Sequence, residues 1–378
     1  MAWLERLLAE TPSSPLPPTV SEFRGASVVI DGKPYLCFCN NDYLGFGQDP
    51  RVREAAARVA RDFGWGTGAS RVLCGSTTWH VMLEECLAAY AKCEAAIHYN
   101  SAYLANCGAV TALADDRTWI AIDAHSHASS VDGARLTGGT VFVFPHRDMG
   151  ALEEGLRKAP TGRRLILSDA VFPRNGDLSP VQDLLRLADE HDAALLIDES
   201  HGVGVYGEHG RGLLEEKRLE GEPDLVTGSF TKALGGMGGY VLCNRDLARL
   251  LRTRSKHYIF TQPAPPAQCA ATMEAIDLLE QEPERRVRLW ENARSLRGKL
   301  EARKLDLKGS AGPIVPVGFG SDEATMRVSK ALWEAGIYAP PMKPPAVPAG
   351  DARIRLVVTS MHSKADLDRI VVVIDRAL

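Results

Sequence analysis

A lysine stands in TGSFTKALGGMGGY, between two hydroxyl side chains and a cluster of glycines. Held in a partly desolvated site, Lys232 can lose its proton, and a neutral lysine forms a Schiff base with an aldehyde. Ser229 and Thr231 can donate to a phosphate, and glycines let backbone come close to it. The same segment also reads as a Gly-rich turn with a solvated lysine. ALLIDESHG places Asp198 and His201 at the end of an apolar run. A carboxylate there is costly without a cationic partner, and a protonated heterocyclic nitrogen is one such partner. The plainer alternative is an aspartate capping the next turn, with His201 merely nearby.

Two further segments follow apolar runs. IAIDAHSHASS carries His125 and His127. They have no third ligand nearby for a metal, but an imidazole can stack on a flat ring. HYNSAYLANCGAV offers Ser101, Ala102 and Tyr103 at a helix N-terminus, where backbone N–H groups bind phosphate well. FGWGTGASR has three spaced glycines but follows no clear strand, so it is a weak dinucleotide signature. Neither a P-loop nor a nucleophile elbow of the GxSxG kind is present.

These residues need elements that hold them. The runs AAIHY, TWIAID, TVFVF, RLILSDAVF, ALLIDES, LVTGSF and GYVLC are short, and most do not alternate. That is the pattern of strands buried on both faces, so a mostly parallel sheet covered by helices is expected. Ligands in such sheets bind beyond the carboxyl ends of the strands, where the residues above stand. VREAAARVARDF and HVMLEECLAAYAK read as helices, the second with Met82, Leu83, Cys86, Leu87 and Tyr90 on one face. SVVIDGKPYLCF reads as a strand pair turning at Asp31-Gly32.

The organisation expected is an N-terminal arm and strand pair over 1–48, a large domain over 49–262 and a smaller α+β domain over 263–378. The arm begins with a short amphipathic helix and the Pro-rich link TPSSPLPP; a long helix in the last third breaks near Glu282-Pro283. The 378 residues carry a formal net charge of only −4, with basic residues scattered, which argues against a nucleic-acid surface. Eight cysteines form no CxxC pair, so reduced thiols in a cytoplasmic protein are expected. No apolar run approaches the ~20 residues that span a bilayer.

Phosphate loop, ring-stacking histidine, Asp-x-x-His after a strand and then lysine form the layout of a fold-type I pyridoxal 5′-phosphate (PLP) enzyme, like aspartate aminotransferase. The chain resembles the α-oxoamine synthase family from about residue 24 onward. The matching stretches include NNDYLGFG, GTGASRVLCGS, NSAYLAN, DAHSHAS, DESHGVGVYGEHGRG, GSFTKALGGMGGY, YIFTQPAPPA and PPAVPAGDARIRL. The resemblance implies a PLP-dependent acyltransferase that condenses an amino acid with an acyl-CoA or acyl-carrier thioester and releases carbon dioxide, giving an α-amino ketone.

It also implies roles for particular residues. Lys232 would carry PLP and move the α-proton, Asp198 would pair with the ring nitrogen, His127 would stack on the ring, and His201 would bond near the ring hydroxyl or the substrate. Ser101, Ala102, Tyr103, Ser229 and Thr231 would hold the phosphate, with Thr261 reaching over from the second subunit of a homodimer. Arg355 would bind the substrate carboxylate, with Asn41, Tyr43 and Arg24 also on the substrate side.

Three departures from the family pattern bear on substrate. Pro173 stands where a serine is usual, Ala102 where glycine is usual and Lys343 where arginine is common. The C-terminal third resembles members that join alanine to a pimeloyl thioester in biotin synthesis. SRVLCGS, YIFTQPAPPA and RLWENARSL resemble members that join serine to long-chain acyl-CoA, and DESHGVG and TKALGG resemble glycine-using members. A catalytically inactive structural homologue is the alternative of another class, and the presence of Lys232, Asp198, His127 and His201 argues against it.

Overall fold

The computed structural model describes residues 2–10, 17–344 and 346–378. A helix covers Ala2–Glu10; most of the Pro-rich link that follows lies outside the described residues. Three N-terminal strands come next: β1 (Val20–Arg24), β2 (Ser27–Ile30) and β3 (Lys33–Cys37). β2 and β3 are antiparallel and joined by Asp31-Gly32, whose φ angles of 50° and 71° are the left-handed pair that a two-residue hairpin turn requires.

Each of the seven apolar runs is a strand: β4 (Ala95–Tyr99), β5 (Trp119–Asp123), β6 (Thr140–Phe144), β7 (Arg164–Asp169), β8 (Ala194–Asp198), β9 (Leu225–Ser229) and β10 (Gly239–Cys243). They form one sheet in the order β4-β10-β9-β8-β7-β5-β6. Only β10 runs antiparallel to its neighbours. The central strands are apolar on both faces because helices cover both, as in Ile120, Ile166, Leu196 and Val241. The parallel register sets Asp169 level with Asp198, and Asp198 level with Thr227, so polar side chains gather at one edge of an otherwise dry sheet.

The remaining strands are β11 (Ile314–Gly318), β12 (Ile337–Tyr338), β13 (Pro341–Met342) and β14 (Arg353–Val357). β11, β14 and β13 make a three-stranded antiparallel sheet. β12 instead pairs in parallel with β3, so the N-terminal strands and the C-terminal third share one four-stranded sheet. Leu36 and Phe38 accordingly sit in a core with Val315, Leu332, Leu356 and Ile370. The long helix of the last third is two helices, Pro266–Gln281 and Pro283–Glu301, interrupted at Glu282 before a proline that cannot continue the first.

The helix Thr78–Tyr90 buries a different face from the one its apolar spacing suggests. Leu83, Leu87 and Tyr90 are inside, but so are His80 and Glu84, while Met82 is exposed and Cys86 only partly covered. The reason is polar pairing. Glu84 accepts from the His98 N–H at 3.0 Å and meets Arg71 at 3.1 Å, and His80 Nε2 bonds the Ala264 carbonyl at 2.9 Å. Buried polar groups with partners are tolerated, and here they take the inward positions.

Candidate active site

The carboxyl ends of β5, β7, β8 and β9 open onto a small pocket lined by Ala102, His127, Asp169, Val171, Pro173, Asp198, Ser200, His201 and Lys232. The structure thus brings together four residues singled out for catalysis.

Asp198 ends β8. Its Oδ1 accepts from the Ser200 N–H at 2.8 Å and its Oδ2 from Asn106 Nδ2 at 2.7 Å. Asn106 is fully buried; its amide also donates to Ser129 Oγ at 2.9 Å, and its carbonyl accepts from Thr227 Oγ1 at 2.5 Å. With both ends of the amide committed, Asn106 fixes the rotation of the Asp198 carboxylate. Asp169, on the neighbouring strand, accepts from the His127 N–H at 3.1 Å. Its burial, and then the adjacent Asp198 charge, push its carboxyl well above the usual range.

Lys232 follows β9 on a tight turn in which the Gly235 N–H bonds the Lys232 carbonyl at 3.0 Å. Gly235 has φ 62°, and a Cβ there would come within 2.0 Å of the Gly47 amide nitrogen, so the turn closes against the 45–47 segment only with glycine. Burial lowers the Lys232 pKa; Asp198 opposes that shift and Arg355 adds to it. Buried His201 shares a 2.8 Å hydrogen bond between its Nδ1 and the Tyr43 hydroxyl. Desolvation, with Lys232 and Arg355 close by, holds its pKa well below the ordinary value, so the ring is neutral at pH 7. His127 is the N-cap of the helix Ala128–Leu136; Nδ1 meets Ser129 Oγ at 2.7 Å, and the ring is exposed at the pocket wall.

At one end of the pocket begins the helix Ala102–Leu113. Ser101 caps it by accepting the Leu104 N–H at 3.1 Å, so its hydroxyl is engaged, while the Ala102 and Tyr103 N–H groups stand in the first turn that an anion would occupy. Ser229 lies alongside, its hydroxyl 2.7 Å from that of Thr231. Gly239 packs against this helix start; a Cβ there would approach Ala102 N to 2.4 Å. At the other end, Arg355 on β14 donates from Nε to the Pro173 carbonyl at 2.7 Å and reaches Asn41 Oδ1 at 3.4 Å. Burial lowers its pKa, which the neighbouring Tyr43 opposes. Pro173 thus serves the site through its carbonyl, which needs no hydroxyl.

Some residues lie elsewhere. Arg24 is exposed on β1, is paired with Glu22 at 2.7 Å and is not among the pocket's lining residues. Thr261 does not line this pocket either; its hydroxyl donates to the Gln262 carbonyl, at 3.4 Å. Lys343 is exposed. His125 points away from the pocket and stacks on His146 at 3.9 Å. His146 bridges Asp123 at 2.8 Å and Asp177 at 2.6 Å; burial opposes its charge, but these carboxylates outweigh it and bring its pKa to about 9.

Asn106 and Asp169 were not among the residues read from sequence, although each carried a signal. Asp169 ends an apolar run as Asp198 does, and Asn106 is a polar residue within the apolar stretch YLANCGAV.

The pocket fits PLP. Two buried carboxylates, Asp169 and Asp198, stand side by side on neighbouring strands in its lining, which suits a ring carrying a positive nitrogen. The Ser200 hydroxyl is buried without a hydrogen-bond partner among the described residues. A helix start beside Ser229 suits a phosphate, and a desolvated amine suits an aldehyde. The carboxylate pair yields a prediction for the cofactor-free protein. A raised carboxyl pKa contributes stability that is present below the ordinary carboxylate value and is lost as pH climbs. Asp169→Asn should therefore stabilise the apo form by about 1 kcal/mol at pH 7, with little gain at pH 4. Apo melting temperatures across pH for both proteins would show it; a difference that does not grow with pH would refute it.

Comparison with known proteins agrees with this geometry. The sequence profile described as "Aminotransferase class I and II" matches residues 33–374. A Maricaulis maris protein named 8-amino-7-oxononanoate synthase is 42% identical over 348 residues, 92% of this chain and 87% of that protein. A Thermosipho melanesiensis protein of the same name is 38% identical over 351 residues, 93% of this chain and 90% of that protein. Among solved structures, Sphingomonas wittichii serine palmitoyltransferase superposes with a TM-score of 0.93 at 31% identity, covering 100% of this chain and 95% of that one. A Francisella tularensis 8-amino-7-oxononanoate synthase structure, 22% identical, shares the fold with a TM-score of 0.80 over 90% of this chain and 97% of that one. The chain belongs to the class I and II aminotransferase family of fold-type I PLP enzymes, in its α-oxoamine synthase branch.

Proposed function

We propose that this enzyme joins L-alanine to a pimeloyl thioester, releasing carbon dioxide and the thiol. The observation that carries the choice of substrates is the run of relatives with that printed name, 36–42% identical over more than nine-tenths of the chain. Serine with a long-chain acyl-CoA is the second reading, favoured by the TM-score of 0.93 to serine palmitoyltransferase.

Each residue has a task in either reading. The buried Arg355 guanidinium receives the amino-acid carboxylate, held in place by the Pro173 carbonyl and Asn41. Lys232, with its lowered pKa, takes the α-proton as a neutral amine. PLP supplies the electron sink that stabilises negative charge at the α-carbon. His127 would cover one face of the ring, and neutral His201, braced by Tyr43, gives or accepts a hydrogen bond without adding charge. The α-carbon then bonds the acyl carbon, the C–S bond breaks, and the sulfur leaves as thiolate, which takes a proton from water. The substrate carboxylate departs as carbon dioxide, and the proton returns to carbon from Lys232.

Alanine, serine and glycine should be added separately to the PLP-loaded protein, its absorbance followed, and each pair with an acyl-CoA assayed for free thiol. A spectral shift with alanine and thiol release with pimeloyl-CoA are expected. Serine with only long-chain acyl-CoA would transfer the assignment to the second reading, and no release from any pair would end both.

The active unit is a homodimer in this proposal, with Thr261 acting across the subunit boundary. Trp65, Leu73 and Phe260 are 73%, 76% and 80% exposed, an uncommon cost for large apolar groups left in water. Sedimentation should give a dimer; a monomer that turns over substrate would contradict it.

A further inference from the structure

Cys37 and Cys39 stand two residues apart at the end of β3, with their sulfurs 3.7 Å apart. Cys37 is buried and Cys39 partly open. The intervening residue ties them to the active site. The Phe38 carbonyl accepts from the Val357 N–H at 2.7 Å, and its own N–H bonds the Tyr338 carbonyl at 2.9 Å. Val357 ends β14, the strand that carries Arg355, and two residues beyond Cys39 comes Asn41, whose side chain meets the Arg355 guanidinium.

We propose that Cys37 and Cys39 form a modification site, a dithiol that peroxide closes to an intramolecular disulfide, and that closure loosens Arg355 and weakens amino-acid binding.

The geometry permits the bond. Two residues of extended chain span no more than about 7 Å, close to the upper limit of about 6.8 Å between the α-carbons of a disulfide, and the chain bends at Phe38 and Cys39. The sulfurs must still close to about 2.05 Å, so the backbone at Phe38 has to pucker. The hydrogen bond between the two thiols favours loss of one proton from the pair, against the effect of burial, and lowers Cys37 to about 7. One thiolate is therefore available near neutrality to begin the reaction.

The step balances. The thiolate attacks one oxygen of hydrogen peroxide, giving a sulfenic acid and, with a proton, water. The second thiol displaces the sulfenic hydroxyl, forming the S–S bond and a second water. Two thiols are oxidised and one peroxide is reduced. A disulfide closed over so short a stretch is strained, which makes it easily reduced and suits a reversible modification.

The effect on substrate rests on the role of Arg355 given above; the chemistry of the pair does not. The whole PLP-loaded protein is treated with hydrogen peroxide, then digested with trypsin. Residues 25–51 should emerge as one peptide holding only these two cysteines, because the Lys33–Pro34 bond resists trypsin. The peptide is expected about 2 Da lighter, having lost two hydrogens. In the intact oxidised protein, the alanine concentration needed for the spectral shift should rise by about tenfold, a loss of roughly 1.4 kcal/mol. Dithiothreitol should reverse both changes, and Cys39→Ser should show neither. Phenylarsine oxide, which bridges paired thiols, should bind the untreated protein at this peptide and protect it from peroxide. An unchanged peptide mass, or a lighter peptide with unaltered amino-acid binding, would overturn the proposal. Because the mass and the spectral shift need no acyl donor, a failure of the pimeloyl reading would be seen separately, as absent thiol release.

Discussion

Lys232→Ala should leave a folded protein that binds PLP only as the free aldehyde, with no cofactor left covalently attached after borohydride reduction, and its thiol release should fall by at least about 10³-fold. Removing a general base alone costs roughly 10²–10⁴-fold, and this variant loses the covalent attachment as well. The fold should survive because the Lys232 side chain makes none of the contacts that close its turn. Those are the Gly235 N–H to the Lys232 carbonyl and the Gly235–Gly47 approach, both of backbone. Circular dichroism and a melting curve serve as the folding control. A variant that still holds the cofactor covalently after borohydride reduction and denaturation would mean that another amine carries it.

The second large effect belongs to Asp198→Asn. The carboxylate is buried and oriented by Asn106 and Ser200, and in the proposed reading it would pair with the positive ring nitrogen. Breaking a buried charge pair by removing one partner costs about 3–5 kcal/mol, which converts to roughly 10²–10⁴-fold in kcat at about 1.4 kcal/mol per decade. Cofactor retention should also fall, read by dialysis and absorbance. The substituted amide keeps one acceptor oxygen where the carboxylate had two, so either Asn106 Nδ2 or the Ser200 N–H loses its partner, and Asn106→Asp would supply an acceptor in its place. It would not restore the charge at the ring, and the double variant should remain inactive. A single variant within tenfold of the parent in kcat would show that Asp198 does not serve the ring nitrogen.

The large sheet was readable because burial on both faces leaves an unbroken apolar run, and each of the seven runs became a strand. The residues after those runs, Asp198, His127 and Lys232, were readable for the same reason: polar groups at the end of a dry strand need a purpose. Helix faces were harder. Thr78–Tyr90 turned by a position because His80 and Glu84 find partners distant in sequence, and no local spacing reveals Ala264 or His98 as those partners. Asn106 hid in the same way, since its three partners lie on Ser129, Asp198 and Thr227, in three other elements. The expected reach of Thr261 to the phosphate depends on a second subunit, which one chain's spacing cannot position, and the place of Arg24 on the substrate side was an expectation from the family resemblance alone.

The parallel pairing of β3 with β12 joins Leu36 and Cys37 to Ile337 and Tyr338. It gives the two ends of the site different birthdays. During synthesis from the N-terminus, every strand of the large sheet is complete by Cys243, and with it the phosphate end, Asp198 and Lys232. Asn41 is made early but must wait for Arg355, and β3 for β12, across some of the longest sequence separations in the fold. Contacts of such separation form late, because loop closure must precede them. A growing chain thus completes the Asp198 and Lys232 end of the pocket well before Asn41 and Arg355 can meet.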